Sequence, residues 1–220
     1  MKKLILKSLA LVTAFAVIFT SFIFPQVTNV NAESTGTEGT VKFSKNMTIP
    51  YAESGLKIKV KMASKPKKGQ KISVKFSKPK VAEVYANKGY AYIEGWKTGK
   101  GKLTIKIGKK KYKATVNIVK YKNPFKKVKI GSANCTQDFK AMAKTDAEVT
   151  KNSVKVTVKA KKGWKIKKIV RTYSKKDKKI KNGSVIKLKN GGASIVIHMK
   201  NKETGVTLPF YINIWNSREF

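Results

Sequence analysis

The chain has 220 residues, 50 of them lysine or arginine and 11 aspartate or glutamate, for a formal net charge of +39. It carries one cysteine and one histidine, which excludes a framework of intrachain disulfides and a zinc centre of the usual Cys/His spacing. Stability must therefore come from a packed core, and the surface must attract polyanions.

At the N-terminus, Lys2, Lys3 and Lys7 precede the uncharged apolar run "LALVTAFAVIFTSFIF" (Leu9–Phe24). Pro25 interrupts it, and Val30 and Ala32 fit the small −3 and −1 positions of a signal-peptidase site. The expected reading is a signal peptide over residues 1–32, cleaved after Ala32; an uncleaved anchor is the alternative. The mature chain would start at Glu33, be secreted or held at the cell surface, and contain no further transmembrane segment. With Glu33 first, no cysteine is available there for lipid attachment, and no LPxTG sorting signal occurs in the tail "YINIWNSREF". Loss of three lysines from +39 leaves +36 on 188 residues. A compact body of that size exposes roughly 9,000 Å², or about one net charge per 250 Å². Only Arg171 and Arg218 are arginines. Lysine lacks arginine's bidentate fork, so this surface suits diffuse attraction more than specific phosphate or base recognition.

Residues 33–40, "ESTGTEGT", are polar and rich in Gly, Ser and Thr, and predict a disordered leader. A two-residue period then dominates. Ile58, Val60 and Met62 alternate with Lys57, Lys59 and Lys61; Ile72, Val74 and Phe76 with Lys71, Ser73 and Lys75. Leu103, Ile105 and Ile107 alternate with Lys102, Thr104 and Lys106, and Tyr112, Ala114, Val116 and Ile118 with Lys111, Lys113, Thr115 and Asn117. Each run predicts a strand with one buried and one wet face. The turn-like stretches "SKPKKGQ", "ANKG", "KTGKG" and "GKKK" separate them. Residues 121–124, around Pro124, predict a linker, because proline cannot continue a strand ladder. Beyond it "FKKVKIG", "SVKVTVKA", "WKIKKIV", "SVIKLKN", "ASIVIHMKN" and "LPFYINIWN" repeat the style, with Trp164 and Trp215 expected in the second core. "CTQDFKAMAKTDAEV" lacks alternation and fits a short helix or a long connection. The expected fold is all-β: two tandem Ig-like sandwiches over residues 41–120 and 125–220.

The stretch "VAEVYANKGYAYIEGWKTGKGKLTIKIGKKKYKATVNIV" (Val81–Val119) carries a more specific signal. It has "VAEV" after the strand "VKFSKPK", a glycine at Gly89, a second at Gly99, then "LTI" and the closing "YKATVNIV". In these features residues 41–120 resemble the bacterial immunoglobulin-like group 2 (BIG2) domain. The resemblance implies an extracellular spacer or adhesion module without enzymatic activity, in which Gly89 starts a strand and Gly99 turns the chain. It carries over no functional residue, since the family's shared positions are structural.

Little chemistry competes with that reading. His198 lies on the wet side of "ASIVIHMK" and reads as a solvated strand residue. Asp138, Asp146 and Glu148 are the densest acids but lack the spacing of a calcium loop. G-x-S-x-G and P-loop patterns are absent from the sequence, and no catalytic residue, cofactor or metal site is expected. Cys135 reads as a small buried apolar residue. Tyr90 and Tyr92 share a strand face and are candidate aromatic contacts for a sugar or base, although core or cross-strand packing is the favoured reading.

The lysines are the principal functional candidates: Lys57, Lys59, Lys61, Lys71, Lys75, Lys102, Lys106, Lys111 and Lys113. Ordinary sheets mix charge signs because like charges side by side weaken strand pairs. These lysines predict association with anionic envelope polymers or acidic glycans. The competing expectation is an adhesin that binds a protein or glycan receptor through the tyrosine hairpin. Nucleic acid would be bound non-specifically at most.

Overall fold

The computed structural model describes residues 37–63, 66–67, 69–141, 144–172 and 177–218. The expected signal peptide, residues 1–32, and residues 33–36 of the expected leader lie outside them.

The alternating sequence folds as it reads. "LKIKVK" buries Leu56, Ile58 and Val60 and leaves its lysines outside, and "KKYKATVNIVK" buries Ala114, Val116 and Ile118 on one side. The first half comprises β1 (Thr37–Lys42), β2 (Asn46–Tyr51), β3 (Leu56–Lys61), β4 (Ile72–Phe76), β5 (Ala82–Asn87), β6 (Tyr90–Gly95), β7 (Gly99–Ile107) and β8 (Lys110–Lys120). The second comprises β9 (Phe125–Ile130), β10 (Ala133–Asn134), β11 (Thr145–Val149), β12 (Ser153–Ala160) and β13 (Trp164–Thr172), followed by β14 (Lys178–Ile180), β15 (Val185–Lys187), β16 (Gly192–Asn201) and β17 (Thr207–Asn216). The segment without alternation contains one 3-10 turn, Asp138–Lys140, and then β11.

Strand order identifies both halves as Ig-like. In the first, β1-β3-β6-β5 faces β2-β8-β7-β4, the arrangement of an A-B-E-D sheet over a C-F-G sheet. β2 pairs in parallel with the closing strand β8. In the second, β14-β13-β16-β17 packs over β10-β9-β12-β15, and β11 pairs in parallel with the closing strand β17.

The two sandwiches are not joined as separate beads. Their sheets merge into one of nine strands, in the order β14-β13-β16-β17-β1-β3-β6-β5 with β11 also on β17. The seam is β1, parallel to β3 along its whole length and antiparallel to β17 at Thr40↔Thr207. Residues 37–40, expected in a disordered leader, thus form most of the joining strand. Their sequence is polar because one face is solvated and because Gly39 takes a core position where a side chain would not fit. A Cβ there would lie 2.6 Å from Ile58 Cδ1 and 2.7 Å from Leu208 Cδ2, one residue from each half.

Residues 121–124, expected as the linker, connect β8 to β9 and are tied into the fold. Tyr121 is 8% exposed, and its hydroxyl donates to the Phe139 carbonyl at 2.8 Å. Asn123 Nδ2 donates to the Thr136 carbonyl, and Asn123 Oδ1 accepts from the Phe125 amide. Pro124 supplies its carbonyl to the Lys161 amide. Phe125, Phe139 and Phe210 meet at centroid distances of 4.7–5.4 Å, and the buried apolar residues of both halves form one cluster. The described residues fall in one compact unit.

Two further expectations need correction. Gly99 does not turn the chain: it is the first residue of β7, and a Cβ on it would press on Val81 at 2.9 Å. The chain passes from β6 to β7 through residues 96–98, while Lys88 and Gly89, both at positive φ, make the separate turn between β5 and β6. Trp215 lies on the outer face of β17 and is 38% exposed, so it is not a core residue; Trp164 packs at the core's edge.

Candidate anion-binding surface

The nine candidate lysines divide between two outer faces with different surroundings. Lys57, Lys59 and Lys61 project from β3 on the shared sheet, where the first two have carboxylate partners. Lys57 lies 4.0 Å from Glu94, and Lys59 lies 2.7 Å from Glu38 of β1. The register sets Lys57 directly between Glu38 and Glu94, and Lys59, opposite Thr40 and Tyr92, reaches Glu38 diagonally. Burial disfavours the charge on Lys59, but the hydrogen bonds it donates to Glu38 and Tyr92 outweigh it and hold the ammonium above its ordinary pKa. Lys59 Nζ also lies 4.7 Å from the Tyr90 ring centre and 5.4 Å from that of Tyr92. The acids here were unforeseeable from alternation alone, because they come from other strands.

Tyr92 is 6% exposed. Tyr85 stacks on it, with centroids 5.3 Å apart and planes within 6°, and burial pushes the Tyr85 hydroxyl up to about 12. One ring face of Tyr92 is therefore covered by Tyr85 and the ring is shielded by Lys59. Tyr90 is half-buried. The hairpin forms a packed cross-strand plate rather than an open aromatic platform.

The other six lysines border the outer face of β2-β8-β7-β4. No aspartate or glutamate occurs in any of these four strands. Thr104 sits between Lys75 and Lys113 in the ladder, and Lys106 stands directly opposite Lys111. Lys102 lies opposite Thr115, and Lys71 precedes β4 at the same edge. Lys75, Lys102, Lys106, Lys111 and Lys113 are all exposed, and among the described residues none of them has a carboxylate within 4.0 Å. A shallow groove of about 880 Å³ runs across this face, lined by Lys75, Lys102, Lys111 and Lys113 with Thr104 and Thr115. Lys45, not singled out by alternation because it precedes β2 in a turn, joins the same groove. Ammonium groups around hydroxyls, without competing acids, form a surface that can hold several anionic groups at once.

Other candidate chemistry is dispersed. Asp138 accepts from the Thr145 hydroxyl at 2.6 Å, while Asp146 accepts from Asn213 Nδ2 at 3.0 Å. Among the described residues no three His, Cys, Asp or Glu side chains are placed to hold a metal ion. Cys135 is buried, and burial together with nearby Asp138 pushes its thiol up to about 11. His198 lies on the outer face as its alternation predicts, but burial and the nearby Lys168 and Lys167 push it down to about 4.

Among known proteins, no family model and no curated sequence matches the chain. Solved structures similar to it include domains 5–6 of the S-layer protein SbsC, at 18% identity over 79% of this chain and 95% of that one, with a TM-score of 0.29. Fibronectin(III)-like modules of Clostridium thermocellum CbhA align at 12% identity over 79% and 89%, with a TM-score of 0.26. Drosophila N-cadherin EC1-3 aligns at 10% over 82% and 64%, also with a TM-score of 0.26. Superpositions at TM-scores this low add nothing to what the strand order shows.

Proposed function

We propose that this is an exported, non-enzymatic Ig-like module that associates with anionic cell-envelope polymers through the lysine face of β2-β8-β7-β4. The observation that carries the reading is the complete lack of acids in those four strands beside five exposed lysines around Thr104. Such a face carries a self-repulsion cost, which a bound polyanion offsets by replacing ammonium–ammonium neighbours with ammonium–oxyanion ones. Polymers of phosphodiester or uronate repeats, such as teichoic-acid-type chains or acidic glycans, present charges along a line and suit a ladder of point charges. The BIG2-type reading of residues 41–120 and secretion after Ala32 belong to the same proposal.

Binding to isolated cell envelopes tests it. Affinity should fall steeply between low and high salt, as it does when polyelectrolyte counterions are released. Replacing Lys75, Lys102, Lys106, Lys111 and Lys113 by glutamine should flatten the log–log slope by about 0.7–0.9 per lysine, as for phosphates of nucleic acids. A slope unchanged by the five replacements would sink the proposal. An adhesin working through the tyrosine hairpin is less favoured, because Tyr92 is covered. It would instead lose binding on Tyr90→Ala with the salt slope intact.

A further inference from the structure

A second concentration of positive charge lies at the seam, on the outer face of the shared sheet. Lys42 of β1 stands directly opposite Lys61 of β3, and Lys200 of β16 stands opposite Thr207, which in turn pairs with Thr40. The ladder of β13 shifts between Ile166 and Lys168, so Lys167 is an extra residue in a bulge, a device that re-aims a side chain out of simple alternation. Lys42, Lys61, Lys167, Lys200 and Lys202 line one groove of about 310 Å³, with Thr40 and Thr207 beside them. Both halves of the molecule contribute to it.

The groove sets five lysines against one acid, Glu203. Among the described residues, no carboxylate lies within 4.0 Å of these lysines. Glu38 is engaged by Lys59, and Glu203, the acid on the groove's lining, makes no ion pair there. Lys167 is held below its ordinary pKa, first by burial and then by Lys61, Lys200, Lys168 and Lys42. Like charges at facing ladder positions weaken strand pairing. A fold that sets Lys42 against Lys61 and adds Lys167, Lys200 and Lys202 from the other sandwich has a cost that an anion of high charge density would remove. Lysine's compact ammonium suits such a point-charge contact.

We propose that this groove is a discrete oxyanion site for a phosphate group, and that its occupant ties the two sandwiches together across the β1–β17 seam. The shared chemistry is a phosphate oxyanion, either free inorganic phosphate or a phosphodiester of a polymer chain. The site does not depend on the β2-β8-β7-β4 face and would exist if that face bound nothing.

The test uses the full secreted protein, titrated with inorganic phosphate and, separately, with a short poly(glycerol phosphate), at ionic strength fixed with chloride. Calorimetry and thermal unfolding are the readouts. In the protein whose Lys75, Lys102, Lys106, Lys111 and Lys113 are replaced by glutamine, which silences the other face, one probe or both should bind saturably, with one phosphate group per chain, and raise the unfolding temperature. Lys167→Gln with Lys200→Gln should weaken that binding by about tenfold or more. The same double variant should unfold at an unchanged or higher temperature when unloaded, because repulsion is relieved, which separates lost binding from lost folding. Lys42→Gln should act in the same direction. Replacing Lys102, Lys106 and Lys111 should leave the stoichiometric site intact. Tighter binding of the polymer names a polymer-borne phosphate, and tighter binding of the ion names the free one. Neither probe saturating, or a response unaltered in the double variant, would overturn the proposal.

Discussion

Gly39 is the position where the seam can be broken by a single methyl group. In Gly39→Ala the new Cβ would lie 2.6 Å from Ile58 Cδ1, 2.7 Å from Leu208 Cδ2 and 3.2 Å from the Thr207 carbonyl oxygen. Ile58 and Leu208 are both 0% exposed, so neither can turn into free space without displacing its own half's core. The carbonyl belongs to the Thr40↔Thr207 pair that joins the sheets. Overpacking of this kind costs about 1–3 kcal/mol. Alanine recovers about 0.4–1 kcal/mol by restricting the unfolded chain, leaving a net loss of about 1–2 kcal/mol. For a protein of this size that lowers the midpoint by about 2–8 °C. Gly39→Val should lose more. Gly192→Ala serves as the control: its Cβ would meet nothing closer than the Ile214 carbonyl at 3.6 Å, so it should be neutral or slightly stabilising. Thermal and urea unfolding of the three variants beside wild type decides the matter. If Gly39→Ala matched Gly192→Ala, the tight seam would be refuted.

Tyr121→Phe should cost about 1–2 kcal/mol in urea unfolding, because the Phe139 carbonyl loses its buried donor and gains no water; an unchanged midpoint would contradict that bond. His198, held at about 4 in the fold, binds fewer protons folded than unfolded. It therefore contributes stability that is present above its unfolded value near 6.5 and is lost as pH falls from there towards 4. His198→Gln should lose less melting temperature than wild type between pH 7 and pH 4.5, and parallel curves would show that the histidine does not contribute.

The lysine-alternating strands were legible because each buries its apolar residues on one face, and period two needs no knowledge of neighbours. β1 was not, since "TEGTVK" has one large apolar residue, and Gly39 is explained only by atoms that arrive from residues 58 and 208. The 121–124 segment looked like a linker because Pro124 forbids a strand. Its burial depends on Phe139 and Phe210, which local sequence does not announce. Among the candidates, the lysines of β4, β7 and β8 could be read directly from alternation, whereas their union with β2 in one acid-free face is set by strand order. The pairing of Lys57 and Lys59 could not, because Glu94 and Glu38 approach by ladder register. The seam lysines left one local trace: in "WKIKKIV" two consecutive lysines interrupt the alternation, which is how a bulge appears in sequence.

Joining strand one to strand seventeen also orders events in time. Thr40 and Thr207 are far apart along the chain but adjacent in the sheet, and contacts of such long separation form late. While the polypeptide emerges, the flank of β1 that β17 will cover stays an unpaired edge, open to pairing with other chains. A chain released before Thr207 would keep that edge, so premature termination should yield aggregation-prone material rather than a functional half-molecule.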